Sequence, residues 1–179
     1  MTAGPDPDGA APAADPWAEP RERTVTWYDP MALAAAGRSL TGLEFLQAIA
    51  EGRLPPPPIA SLTGSRLASV AEGEVEFLWT PHESTYNPLG IVHGGLLCTL
   101  LDSASGCAVQ SLLPAGVTSS SIEIKVSFLR PLRAELGEVS AVGRALRVGR
   151  RVAFAEAHAR DGSGELVGHA TSSLALVRL

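Results

Sequence analysis

Apolar side chains recur at every second position in two segments of this chain. In the segment 74–79 they occupy positions 75, 77 and 79, and in the segment 121–128 they occupy positions 122, 124, 126 and 128. Because the side chains of a strand point alternately to its two faces, this period predicts two strands with one buried face each. Three more strand-like segments follow at about 138–148, 150–160 and 165–177, with short turns between them. Short turns predict that these strands are antiparallel neighbours.

Two other segments have the pattern of helices. In the segment 41–52, Thr41 and Glu44 form a capping box and apolar residues recur on one side. Residues 96–113 are instead apolar or small on nearly every side, with Asp102 in the middle. An aspartate at the centre of a bilayer costs about 2.5 to 3.5 kcal/mol, which argues against a membrane span. A helix that is apolar on all sides is then predicted to be buried on all sides.

The order of these elements predicts the architecture. One long helix followed by a run of antiparallel strands predicts an α+β fold, in which a curved antiparallel β-sheet wraps around a long central helix. The 179 residues suffice for one domain but not for two of ordinary size. We expect a disordered arm rich in Pro and Ala over residues 1–26, a helical extension with a Pro-rich connector over 27–60, and the sheet domain over 61–179.

The net charge and the cysteines limit which binding partners and which cellular compartment are expected. A net charge of -5 gives no cluster of positive charge, so neither nucleic acid nor an anionic membrane is expected as a partner. Cys98 and Cys107 lie on opposite sides of the predicted helix, so they are not expected to form a disulfide bond. Free thiols, together with a start that lacks the pattern of a signal peptide, indicate the cytoplasm.

Asp102 is the first candidate for chemistry. An ionised carboxylate in the middle of a buried helix carries a desolvation cost of several kcal/mol unless it is paired, and the helix offers no Lys or Arg close by. Such a group is a candidate general base or nucleophile. A hydrogen bond to a loop amide, or a place in a solvent-filled crevice, is the structural alternative.

His93, Gly94 and Gly95 form the second candidate, at the start of the same helix. Glycines leave backbone amides open to close approach by a ligand. Amides at a helix N-terminus also favour the negative charge that develops on a reacting carbonyl oxygen. A plain glycine turn into a helix, with His93 beside the cap, is the alternative.

Other polar side chains carry weaker signals. His82, His158 and His169 lack the spacing of metal ligands, so no metal site is expected. Arg130 and Arg150 could reach the phosphates of a substrate, although exposed arginines at strand ends are usually only solvated.

The residues around the two main candidates form a longer pattern. The sequence NPLGIVHGG covers residues 87–95, Asp102 follows His93 by nine residues, and Ser121 begins a predicted strand that runs into FLRP at 128–131. This pattern resembles the hotdog-fold acyl-CoA thioesterases, and among them the phenylacetate-degradation (PaaI-like) group. The resemblance extends from about residue 60 to the end of the chain.

The resemblance implies hydrolysis of an acyl-CoA, or of a related acyl thioester, to the free acid and the thiol. It implies that Gly94 donates its amide to the thioester oxygen, with His93 and Asn87 shaping that end of the pocket. Asp102 would activate water or attack the carbonyl itself. Ser121 would help to hold the water, although Ser119 and Ser120 beside it could shift the match by one position.

Substrate binding is expected to involve further residues and no separate cofactor. Gly95, Arg130 and Arg150 are the expected substrate contacts, and coenzyme A would be part of the substrate. The sequence does not predict the acyl group. Three aromatic residues could either line a pocket for an aromatic acyl group or belong to the core, namely Trp79, Tyr86 and Phe128.

The spacing of the candidates predicts a shared site. Gly94 and Asp102 are eight residues apart in one helix, which is about 12 Å at 1.5 Å per residue. If both act on one thioester, they must come from two subunits whose helices run antiparallel across a two-fold axis. The resemblance likewise implies an obligate homodimer, which can pair further into a homotetramer.

Two rival functions use the same fold. One is a non-catalytic module that binds acyl-CoA, in which Asp102 is structural. The other is a hydratase or dehydratase, which needs a catalytic histidine paired with an acid across the cleft, and the sequence has no pattern for that pair.

Overall fold

The computed structural model describes residues 19–179, in which six strands form one antiparallel sheet. The strand order across the sheet is β1-β2-β4-β5-β6-β3, so β1 and β3 are the two edges. The strands are β1 (Ser65–Ala71), β2 (Glu74–Trp79), β3 (Val117–Phe128), β4 (Val139–Val148), β5 (Val152–Arg160) and β6 (Leu166–Arg178).

Four α-helices accompany the sheet within residues 19–179, and the longest lies against it. The helices are α1 (Pro30–Gly37), α2 (Gly42–Ala50), α3 (Pro58–Thr63) and α4 (Gly94–Gln110). Helix α4 contacts all six strands. This arrangement confirms the predicted α+β hotdog fold with a helical N-terminal region. Within residues 19–179, no helix combines the length and the apolar character that crossing a bilayer would require.

The sheet approaches α4 very closely at one glycine. A Cβ atom on Gly143 of β4 would lie 2.1 Å from the carbonyl oxygen of Ala104 in α4. Only a residue without a side chain permits this contact between the two backbones. Leu101, Ala104 and Ala108 are fully buried on this side of the helix. The central helix is therefore fixed to the sheet by its backbone as well as by its apolar side chains.

The prediction that α4 is buried on all sides is wrong for the single chain. Thr99, Asp102, Ser103 and Gly106 are only half-buried. The six-stranded sheet covers one side of the helix, and the other side is left partly open. The apolar character of residues 96–113 gave no sign of this difference.

The capping box of α2 is confirmed, and it anchors the N-terminal region. Glu44 N donates to Thr41 Oγ1 at 3.3 Å, and Thr41 N donates to Glu44 Oε2 at 2.9 Å. The amide of Gly42 then donates to the carbonyl of Leu113, just beyond the end of α4, at 2.9 Å. Residues 1–18 of the predicted arm lie outside the described residues, and residues 19–26 form neither helix nor strand.

Several boundaries and elements differ from the prediction. Helix α4 begins at Gly94 and ends at Gln110, and β3 begins at Val117 rather than at Ser121. The four prolines at 55–58 predict an extended connector, but Pro58 is already the first residue of α3. The pattern also did not predict α1, α3 or β1 as elements.

Candidate active site

The first residues of α4 leave one backbone amide open. His93 is the N-cap residue, and its ring Nδ1 accepts a hydrogen bond from Gly95 N at 2.9 Å. Leu96 N donates to the carbonyl of His93. Among residues 19–179, no acceptor is paired with the amide of Gly94. This amide can therefore bind an oxygen atom with partial negative charge at the positive end of the helix.

An aromatic ring explains why position 94 is a glycine. A Cβ atom on Gly94 would lie 3.0 Å from Cζ of Phe128, at the end of β3. The ring itself is 56% exposed, so it stands beside the open amide rather than in the core. A side chain at position 94 would displace the ring or cover the amide.

Asn87 shapes the loop that leads into α4. Its side-chain Oδ1 accepts a hydrogen bond from Leu89 N at 2.9 Å. Its backbone N donates to the carbonyl of Ile91 at 2.8 Å. These bonds close the turn that carries Pro88 and Gly90. Asn87 thus orders the loop through its oxygen, and only its side-chain NH₂ group remains for a ligand.

Gly94 and Asn87 face a common groove of about 460 Å³. Apart from these two residues and Arg130, the groove is lined mainly by apolar side chains. They are Ile91, Val92, Leu97, Phe128, Leu129, Pro131 and Leu132.

Asp102 is paired with Ser121, which corrects the expectation of an acid without a partner. Ser121 Oγ donates to Asp102 Oδ1 at 2.7 Å. The shift toward the preceding serines is not seen, since Ser119 N instead donates to Gln110 Oε1 at 3.1 Å. The structure thus brings together the two residues that the sequence places nineteen positions apart.

A second cavity surrounds this pair. It has a volume of about 360 Å³ and is lined by Asp102, Ser121 and the three residues after Ser121, with Cys98 and Thr99 on the helix side. Cys98 and Thr99 lie four and three positions before Asp102, a spacing that places them on the same side of a helix. That spacing could have predicted both residues as part of the site.

The two cavities are separate within one chain. Within the part of the chain that the structure describes, the groove at Gly94 and the crevice at Asp102 share no lining residue. The chain therefore presents an open amide and a positioned carboxylate on one helix, about 12 Å apart along its axis.

The expected substrate contacts have different positions. The amide of Gly95 is occupied by the ring of His93. Arg130 lines the groove beside Gly94, and its guanidinium pairs with Glu165 at 2.7 Å on the exposed surface. Arg150 lies exposed in the turn between β4 and β5 and belongs to neither cavity.

Three aromatic residues were considered for an acyl pocket, and two of them, Trp79 and Tyr86, form hydrogen bonds with backbone groups. Trp79 is buried and donates its Nε1–H to the carbonyl of Thr63 at 2.9 Å. Tyr86 Oη accepts a hydrogen bond from the amide of Ala134 at 2.7 Å. Phe128 alone of the three presents its ring to one of the two cavities.

Two histidines that look scattered in the sequence are neighbours across β5 and β6. His158 is the register partner of His169, and His169 Nε2 lies 3.9 Å from Glu156 Oε2. Desolvation lowers the pKa of His158, and the positive charges of Arg160 and Arg144 lower it further. Within the described part of the chain, no three His, Cys, Asp or Glu side chains are grouped as a metal site would need.

Comparison with known proteins shows similarity to thioesterases and esterases. The model of the thioesterase superfamily matches residues 89–168. The chain is 37% identical over 103 residues to a protein of Halobacterium salinarum named as a candidate esterase, and this match covers 55% of the chain and 66% of that protein. The chain spans 57–66% of the length of the curated relatives that it matches.

Solved structures share the fold over most of their length. A candidate thioesterase of Ralstonia eutropha, described as related to phenylacetic acid degradation, is 29% identical with a TM-score of 0.67, over 73% of this chain and 98% of that one. A Streptococcus mutans protein bound to acetyl CoA is 22% identical with a TM-score of 0.57, over 63% of this chain and 87% of that one. At the latter identity, the likeness shows the fold alone.

Proposed function

This chain belongs to the thioesterase superfamily, with the hotdog fold of its PaaI-like group, and on that premise we propose that it hydrolyses an acyl-CoA thioester to the free acid and coenzyme A. The observation that carries the proposal is the hydrogen bond from Ser121 Oγ to Asp102 Oδ1, in a crevice between α4 and the edge strand β3. It holds a carboxylate where a water molecule and a thioester carbonyl can meet.

Asp102 serves as the general base in the proposed reaction. Ser121 occupies one carboxylate oxygen, which leaves the other oxygen to take a proton from water. The water oxygen attacks the carbonyl carbon, and the amide of Gly94 stabilises the negative charge on the carbonyl oxygen. The C–S bond then breaks, and the thiolate takes up the proton from Asp102.

Direct attack by Asp102 is the alternative route. It would form a mixed anhydride and release the thiol first, after which water would hydrolyse the anhydride. A single turnover in H₂¹⁸O tests for an anhydride that is hydrolysed at the Asp102 carbonyl, because only that route labels the enzyme. The general-base route puts ¹⁸O into the acid product, whereas hydrolysis of an anhydride at the Asp102 carbonyl puts ¹⁸O into the enzyme.

We infer that the active site forms between two chains. One thioester cannot reach both Gly94 and Asp102 of the same helix, because about 12 Å separates them. The edge strand β3 carries Ser121, and its outer edge has no strand partner among residues 19–179. Unpaired edges are ready to pair with a second chain. An antiparallel pair of β3 strands would bring the N-terminus of one α4 toward the Asp102 of the other.

Complementation tests the shared site. Asp102→Ala and Gly94→Val are each made, shown to be inactive and folded, and coexpressed so that the subunits mix. Half of the dimers are then mixed and each holds one intact site, so about a quarter of the wild-type activity should return. No recovery from dimers that are demonstrably mixed would place each site within one chain.

Thiol release from purified protein tests the proposed activity. A panel from short fatty acyl-CoA to phenylacetyl-CoA and hydroxybenzoyl-CoA, with the same acyl groups on an acyl carrier protein, would identify the acyl group and the thiol. A neighbour of the same fold from S. mutans is bound to acetyl CoA, so thioesters of coenzyme A are the first to test. Tight binding of acyl-CoA without thiol release would instead support the non-catalytic module.

A further inference from the structure

A second concave surface lies on the N-terminal side of the molecule. It is a groove of about 900 Å³ between β1 on one side and α2, the proline run and α3 on the other, and we call it the N-terminal groove. It shares no residue with the groove at Gly94 or with the crevice at Asp102. Its volume is within the range of about 300 to 1,000 Å³ that is usual for sites of small ligands.

The walls of the N-terminal groove are held in place without a ligand. The capping box fixes the start of α2, and Gly42 packs so closely on α4 that a Cβ atom there would lie 1.7 Å from the carbonyl oxygen of Gln110. Beyond α2, the amide of Leu54 donates to the carbonyl of Ala48 at 2.9 Å. Prolines at 55–57 restrict the backbone of the next wall. A preformed groove saves the ordering cost that binding would otherwise carry.

The chemistry of the lining favours an apolar chain with an acidic end. Leu46, Leu67, Phe77 and other apolar side chains line the groove, together with the thiol of Cys107. Among residues 19–179, the charged residues that line the groove are Arg53 and Arg66.

Both guanidinium groups are available to a ligand carboxylate. Arg53 pairs with Glu51 at 2.6 Å and Arg66 with Glu138 at 3.3 Å, but these side chains are all exposed. Exposed ion pairs of this kind contribute only about 0 to 1 kcal/mol, so a carboxylate anchored by a buried chain can replace either glutamate.

We propose that the N-terminal groove binds a free medium- or long-chain fatty acid. The hydrocarbon chain lies along Leu46, Leu67 and Phe77, and the carboxylate binds at Arg53 or Arg66. This site is independent of the hydrolysis proposed at Asp102, so its test does not depend on that activity.

Calorimetry with decanoate, in the full chain and below the concentration at which micelles form, tests the site. Ala68 lines the groove at the irregularity in β1, where it has no register partner in β2. Ala68→Trp fills the groove, whereas Ala71→Trp adds the same side chain at the exposed end of that strand and serves as the control. We expect one decanoate per chain, at least about tenfold weaker binding in A68W, and wild-type binding in A71W.

A second pair of measurements separates the contribution of the ligand's carboxylate from that of its hydrocarbon chain. The double variant Arg53→Gln with Arg66→Gln should weaken decanoate binding severalfold and leave the binding of decanol unchanged. A68W should still release thiol from short acyl-CoA substrates at the wild-type rate.

Three outcomes would overturn the site. The first is unchanged decanoate binding in A68W. The second is binding that is lost in Ser121→Trp, which would place the fatty acid as a product at Asp102. The third is binding that requires removal of residues 1–18, which would make the arm of this chain the occupant.

Discussion

The two sides of α4 differ in what they contact. On the side of the sheet, Leu101, Ala104 and Ala108 are fully buried. On the other side, Thr99 and Asp102 are half-buried and face the crevice beside β3. Asp102 is the only charged residue of the helix, so composition alone does not distinguish the two sides. The comparison shows that only one side is committed to the core of the chain.

The two sides also differ in how much space they leave. At Gly143 the sheet is in contact with the helix backbone, whereas the opposite side has a crevice of about 360 Å³. Substitutions on the side of the sheet should therefore affect the free energy of unfolding. Substitutions in the crevice should affect the rate of hydrolysis. The predictions below test this division.

Asp102→Asn should produce the largest effect, on the crevice side. The amide cannot take a proton from water, so kcat should fall by at least about a hundredfold with KM little changed. The melting temperature should stay the same or rise, because a half-buried charge is removed. Thiol release and thermal unfolding check both parts. A variant that keeps half of the wild-type kcat would make Asp102 a structural residue.

Gly143→Ala should lower stability, because its methyl group would collide with the carbonyl of Ala104. We expect a loss of about 1 to 3 kcal/mol in the free energy of unfolding, measured by urea denaturation. Gly106→Ala is the matched control on the other side of α4, where a Cβ atom would meet only Leu174 Cδ2 at 3.9 Å. Since alanine favours a helix over glycine by about 1 kcal/mol, this variant should be neutral or more stable. Equal losses in both variants would contradict the division between the two sides.

The sequence predicted local features better than the division between the two sides. The capping box of Thr41 and Glu44 and the strand at 74–79 depend on neighbouring residues, and both are confirmed. Strand β1 was not predicted, because Arg66 and Ser69 leave only a weak alternation in a short segment. The partly open side of α4 could not be predicted either, since it depends on which elements of the same chain pack against the helix.

The candidate site shows the same limit. Gly94 and Asp102 were found from their chemistry on a helix, whereas Ser121 came only from the family resemblance, as a residue that holds the water, and its bond to Asp102 was not predicted. The hydrogen bond from Ser121 crosses from β3 to α4, and no spacing within one element encodes it. Likewise, His158 and His169 meet only through the register of β5 and β6.

Ser121→Ala should have a smaller effect than Asp102→Asn. It removes the hydroxyl that holds Asp102 Oδ1 but leaves the carboxylate in place, so kcat/KM should fall by about tenfold. Ser121→Thr keeps the hydroxyl and should recover part of the activity. Ser120→Ala, next to it on β3, is the control and should behave as wild type. A loss in S120A equal to that in S121A would show that the strand, rather than the hydrogen bond, is being disturbed.

The smallest effect is expected from the two cysteines. Cys98 lines the crevice one turn before Asp102, whereas Cys107 lines the N-terminal groove. Burial raises the pKa of Cys98, and the charge of Asp102 raises it further. Burial, with a smaller contribution from Asp102, raises the pKa of Cys107 to about 12. Both thiols therefore stay protonated at neutral pH, and neither is an effective nucleophile.

Cys98→Ala should thus leave kcat unchanged and shift KM by about two- to threefold, because it alters only the wall of the crevice. Cys107→Ala should leave both constants unchanged. Because a raised pKa moves thiolate formation to higher pH, neither variant should change the pH–rate profile between pH values of about 6 and 8. Measuring kcat and KM of both variants over this pH range tests both predictions. A large loss of kcat in C98A would instead mean that the thiol takes part in the reaction beside Asp102.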